Sequence, residues 1–146
     1  MWYEDPVRMD NIDTLADFRK QVREPVTASE MISTRWHFRE MFERKAMDIC
    51  MFDISWVGGI SEIKRIGILA KAHGIAVAPH DSGPVTTYAR CHVMANMSNA
   101  FFMEFSDDGG ENSSGGGSYG CVLLLEEGTS FGRPGHQLGI DDNTIV

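Results

Sequence analysis

The sequence predicts an α/β fold, a partial TIM-like (β/α) barrel of about five parallel strands with intervening helices, then a glycine-rich irregular tail. Three observations predict it. Short apolar or β-prone runs alternate with helix-period segments from Trp2 to Glu104, the pattern of βαβ units around a parallel sheet. Glu4, Glu30, Asp53, His80 and Glu104 each close one such run, at gaps of 26, 23, 27 and 24 residues. After Phe105 the alternation stops and the composition turns to Gly and Ser. Strand ends of such a barrel converge on one rim, where catalytic groups collect. A spacing that returns an ionisable residue to that rim on every unit therefore reads as an active site. Chance supplies one or two such positions easily, but five in phase poorly.

Taken in order, Trp2-Tyr3-Glu4 is the tail of a first strand, stopped by Pro6. Ile12, Leu15, Phe18 and Val22 recur at helical spacing, with Asn11 or Asp13 placed to cap that helix. PVTASE (25–30) is a short second strand. Trp36, Phe38, Met41 and Phe42 follow on a helix for which Ser33 or Thr34 is the expected N-cap. DICMFD (48–53) is apolar between its two carboxylates, as in a parallel strand buried on both faces. Gly58 and Gly59 then free the backbone to turn. Ile60, Ile63, Ile66 and Leu69 stack three apart on the next helix, and Gly74 sits where a left-handed C′ residue belongs. IAVA (75–78) is the fourth strand, ended by Pro79. A less regular helix covers about 85–95, and AFFME (100–104) is the last strand. SDDGGENSSGGGSYG (106–120) reads as a flexible loop and matches no phosphate-binding glycine motif. Residues 121–125 form a strand or pack a core edge, and 121–146 is otherwise a loop-like tail.

At 146 residues the chain holds one domain with a real core, but a complete eight-unit barrel takes about 250 residues. The formal net charge of −8 argues against nucleic acid as a partner and fits a protein that handles a small ligand. No run approaches a membrane span, and the first residues have neither the basic nor the apolar region of a signal peptide. Cys50, Cys91 and Cys121 are odd in number and lack CxxC spacing. Buried free thiols in a reducing cytoplasm are expected, rather than disulfides or a zinc site.

Glu4 and Glu30, on successive strand ends, suit a hard divalent cation. Mg²⁺ commonly binds through one or two carboxylates plus waters and substrate oxygens. Either glutamate alone reads as a solvated loop residue; as a pair one unit apart they read as metal ligands. Asp53 and His80, also one unit apart, make a carboxylate–imidazole pair. The carboxylate fixes the tautomer and leaves the other nitrogen free for acid–base work. His37, His73, His92 and His136 read as surface or hydrogen-bonded residues. His80 differs because Pro79 and Asp81 bracket it after a strand. There is no GxSxG nucleophile elbow, and no HExxH or HxH zinc pattern.

WYEDP (2–6), PVTASE (25–30), DISWVGGISE (53–62), HGIAVAPHDSGPV (73–85) and NAFFME (99–104) together resemble the enolase superfamily, specifically its mandelate racemase/muconate lactonizing enzyme branch. The resemblance covers about two thirds of the chain, in order. It implies Glu4 and Glu30 as the second and third metal ligands, Asp53 and His80 as an Asp–His dyad, and Glu104 as a carboxylate that helps stabilise the enolate. Ser29 stands where the family usually has Gly. The family abstracts the proton α to a carboxylate, with Mg²⁺ holding the enediolate. APHDSGPV (78–85) and TRWHF (34–38) look most like acid-sugar dehydratases, which eliminate water from a small sugar acid. A racemase, epimerase or cycloisomerase is the alternative within the family, and a non-catalytic fragment the alternative outside it.

By the same resemblance, residues 1–105 are the C-terminal half of the barrel, starting at its fourth strand. The substrate-selecting capping domain, the KxK lysine and the first metal-ligating Asp have no counterpart here. Lys20, Lys45, Lys64 and Lys71 fall on predicted helices and do not replace that lysine. The 146-residue chain is therefore expected to be catalytically silent by itself, and the full-length protein a homo-oligomer.

Overall fold

A computed structural model describes residues 2–104. The elements follow the expected alternation: β1 (Tyr3–Glu4), α1 (Ile12–Gln21), β2 (Val26–Ala28), α2 (Thr34–Glu43), β3 (Ile49–Cys50), α3 (Ile54–Val57), α4 (Ile60–Ala72), β4 (Ala76–Val77) and α5 (Pro84–Met94). The strands form a four-stranded, all-parallel sheet in the order β1-β2-β3-β4. The fifth expected strand, 100–104, shrinks to a single parallel bridge between Val77 and Ala100. Among the described residues, only Val77 N to Asn99 O and Phe101 N to Val77 O, both at 2.9 Å, continue the ladder there. The loop expected at 106–120, the tail 121–146 and Cys121 lie outside the described residues. No helix among the described residues is long and apolar enough to cross a membrane.

Local sequence explains most element boundaries. Asn11 caps α1, its side chain accepting from Thr14 N at 3.1 Å. Gly58 ends α3 at φ +115° and Gly74 follows α4 at φ +71°, both in the region that favours glycine. Ser33 is the N-cap of α2, but its hydroxyl makes no capping bond. Glu62 of α4 does that work instead: its Oε1 accepts from Arg35 N at 2.9 Å, and Oε2 pairs with Arg35 Nη2 at 2.8 Å. Lys45 lies in the turn after α2, not on the helix, at φ +53°.

The core runs between the sheet and the helices. Val26, Ala28, Cys50, Phe52 and Val77 from the strand region meet Leu15, Phe38, Met41, Phe42, Ile63 and Ile66 from the helices. Two expected core residues turn outward. Trp36 is 62% exposed and Ile60 51%. A three-residue step turns a side chain by about −60° around a 3.6-residue helix. The run Ile60, Ile63, Ile66, Leu69 therefore sweeps half the circumference, and only its centre faces inward. Trp36 lies on the solvent side of α2, within cation–π reach of Arg35 and Arg39. Helix α4 also comes close to the segment after α5. A Cβ on Gly67 would sit 2.5 Å from Met97 Cε, and Asn99 Nδ2 donates to the carbonyls of Gly67 and Ile75.

Candidate active site

The rim is assembled by the ladder continuing past the strand ends. Asp5 N donates to Thr27 O at 3.1 Å, Met51 N to Ala28 O at 2.8 Å, Ala78 N to Cys50 O at 2.9 Å and His80 N to Phe52 O at 3.0 Å. Parallel strands point the same way, so the residues after each strand emerge together. Glu4, Glu30, Asp53, His80 and Glu104 all lie at or beyond the C-terminal ends.

His80 is the centre of the group. Its Nδ1 is 2.8 Å from Asp53 Oδ2. Its Nε2 is 2.6 Å from Glu30 Oε2 and 3.9 Å from Glu104 Oε2. The structure thus brings three of the other four expected residues within ion-pair distance of the single His80 imidazole. Glu4 is exposed on the same rim, and its Oε2 accepts instead from Trp2 Nε1 at 3.3 Å. Asp53 is 1% exposed and has a second role: its Oδ1 caps α3, accepting from Ser55 N at 2.6 Å. Both of its oxygens are committed, so the carboxylate cannot swing away from the imidazole without opening the helix end. His37 bonds Ser33 O at 2.9 Å and His92 is exposed, as expected of background histidines. His73 is exposed too, its ring 5.8 Å from that of Phe42. Cys50 and Cys91 are buried free thiols, pushed up in pKa by that burial.

Four further residues border the site. Asp5, next to Glu4, accepts from Ser29 Oγ at 2.8 Å through Oδ2, while its Oδ1 is buried with no hydrogen-bond partner among the described residues. Burial raises its pKa, the Ser29 bond opposes that, and the Glu30 and Glu4 charges add to it. Ser29, where the family usually has Gly, is therefore used as a donor inside the site. Asp81 and Arg90 form a buried ion pair beneath the His80 loop. The adjacency of Asp5 to Glu4 was a signal available in the sequence. Arg90, placed on the inner side of a helix, left none.

Magnesium fits this donor set in kind. Glu4 and Glu30 are hard oxygen donors on neighbouring strand ends, and the bare Asp5 Oδ1 beside them marks a place where negative charge lacks a counter-charge. Among the described residues no group of three or more acidic, His or Cys side chains is arranged to hold a metal ion.

The comparisons with known proteins point one way. A family model described as enolase C-terminal domain-like matches residues 1–117. The arabinonate dehydratase of Saccharolobus solfataricus is 35% identical over 97 residues, which is 66% of this chain and 26% of that protein. Among solved structures, a mandelate racemase/muconate lactonizing enzyme-like protein from Rubrobacter xylanophilus is 42% identical with a TM-score of 0.69, over 71% of this chain and 27% of that one. An Agrobacterium radiobacter enolase, provisionally assigned as a galactarate dehydratase and bound to Na and L-malate, is 32% identical with a TM-score of 0.73. That match covers 86% of this chain and 32% of that one. The chain thus spans about a quarter to a third of the length of these relatives.

Proposed function

This chain belongs to the enolase C-terminal domain-like family, and we propose that it carries part of the active site of a magnesium-dependent acid-sugar dehydratase, a carbon–oxygen lyase. The observation that carries the reading is the seating of His80 between Asp53 and Glu30, with Glu104 beside them. The similarity to an arabinonate dehydratase and to a provisional galactarate dehydratase supports the substrate class.

Glu4 and Glu30 would hold Mg²⁺, which would supply positive charge beside the substrate carboxylate. The chain's own residues handle the proton. Asp53 holds Nδ1 and stabilises the imidazolium, so proton traffic runs through Nε2. Substrate has to displace Glu30 from Nε2 to reach it. His80 then serves as the α-proton base or as the acid on the departing hydroxyl. Glu104, fastened by Asp81 N donating to its Oε2 at 2.8 Å, faces the same nitrogen and is placed to help stabilise the enolate.

Aldonic and aldaric acids, incubated with Mg²⁺ and the chain, test the proposal. The remaining barrel strands of a relative are supplied in trans. A 2-keto-3-deoxy product is expected, absent without Mg²⁺ and absent in His80→Asn. Interconversion of epimers with no keto product replaces dehydration by the racemase or epimerase reading. Turnover by the 146-residue chain alone would contradict the expectation that it is silent by itself.

A further inference from the structure

Helix α5 carries a buried cation that touches both sides of the site from below. Arg90 is fully buried. Its Nη1 donates to the backbone carbonyl of His80 at 2.6 Å and to that of Glu104 at 3.1 Å. Its Nη2 donates to Thr87 Oγ1 at 3.0 Å and pairs with Asp81. Asp81 in turn is tied into the rim: its Oδ1 accepts from Gly83 N at 3.2 Å, and its own N–H holds the Glu104 carboxylate. The two carbonyls belong to residues 24 positions apart, on a strand end and on the bridge segment beyond α5. Among the described residues, backbone pairing between these segments is limited to Val77 with Asn99 and Phe101, well before His80 and Glu104. No described ladder bond sets the distance between the two at the rim.

We propose that Arg90 is a positioning residue that sets the separation of His80 and Glu104 by bridging their carbonyls. A planar guanidinium holds Nη1 on the two carbonyls and Nη2 on Asp81 and Thr87 at a fixed angle, which the single nitrogen of an ammonium cannot do. An apolar side chain of similar volume could fill the same space, and burying a charge rarely adds net stability. The geometry therefore fits a role in alignment better than one in simple packing. Asp81 supplies the counter-charge, and Thr87 fixes the rotation of the guanidinium.

The inference rests on the reading of His80 as the acid–base group, but its test does not need turnover. NMR of the 146-residue chain follows two signals: the His80 ring proton on Nδ1, held by Asp53, and the Asp81 amide proton, held by Glu104. Arg90→Lys keeps the charge but has one nitrogen, which cannot hold the two carbonyls and pair with Asp81 at the same time. The folded variant is expected to shift the Asp81 amide upfield and to broaden the His80 Nδ1 proton. Arg90→Ala is expected to do the same, with both signals returning when guanidinium is added. A folded Arg90→Lys protein with both signals at their original positions overturns the proposal, and that variant decides alone if Arg90→Ala does not fold. In the assembled enzyme, misalignment of this kind is expected to lower kcat by on the order of 10²-fold with KM little changed. Failure to detect any dehydration, alongside the expected NMR changes, would refute the activity and leave the bridge standing.

Discussion

Asp53→Ala and Asp53→Asn are expected to damage this protein in different ways, because one carboxylate holds two partners. Oδ1 takes the Ser55 amide at 2.6 Å and Oδ2 takes His80 Nδ1 at 2.8 Å, in a place that is 1% exposed. Alanine removes both. A helix cap is worth about 1 kcal/mol, and a hydrogen bond to a charged group about 1.5–3 kcal/mol. The expected loss is therefore about 2.5–4 kcal/mol, since little water reaches the groups left behind. Asparagine keeps an oxygen for Ser55 N and turns its amide NH₂ toward Nδ1. Its loss is expected to be smaller, about 1–2 kcal/mol. Nδ1 must now accept, so the ring proton moves to Nε2. Nε2 can then no longer take a proton, and turnover in the assembled enzyme should fall by on the order of 10²–10⁴-fold. Urea unfolding gives the two stabilities, and ¹⁵N NMR of the ring gives the tautomer. Equal losses for the two variants, or an Nδ1 proton surviving in Asp53→Asn, would show that the double role is wrong.

Glu62 contributes to stability in a pH-dependent way. Its acceptance of the Arg35 amide, followed by the Arg35 and Arg65 charges, holds its pKa below the usual 4.5. Stability from a group lowered in this way is fully present above its unfolded value and is lost as pH falls through the lower folded one. Glu62→Gln should therefore lower the urea midpoint at neutral pH, and the gap from wild type should close in acid; a gap independent of pH would refute this. Phe38→Ala, in the core, should cost about 3–5 kcal/mol, whereas Trp36→Ala on the open side of the same helix should stay within about 0.5 kcal/mol in the same measurement. Gly58→Ala places a Cβ at φ +115° and should cost at least about 1–2 kcal/mol by urea unfolding, with little of that cost in an exposed control such as Ser61→Ala.

The strand–helix alternation and the rim were legible in the sequence for a directional reason. Parallel strands share one polarity, so a residue type that recurs just after each apolar run must emerge at the same end. Glu30, Asp53, His80 and Glu104 meet there as their spacing required. The glycines at 58 and 74 were equally legible, because a left-handed turn needs no information from elsewhere in the chain. The weak fifth strand was not legible. AFFME (100–104) has strand composition, but pairing needs a neighbour along its whole length, and only Ala100 forms a bridge.

Chain order alone settled which residues share the rim and which way the sheet runs, since both follow from local patterns repeated in one direction. Tertiary packing decided the rest: that His80 sits between Asp53 and Glu30, that Glu62 caps a helix 27 residues away, and that Arg90 reaches two distant carbonyls. Those choices depend on rotamers and on how far apart helices settle on the sheet. Both are set only when the whole core closes, and no single segment encodes them.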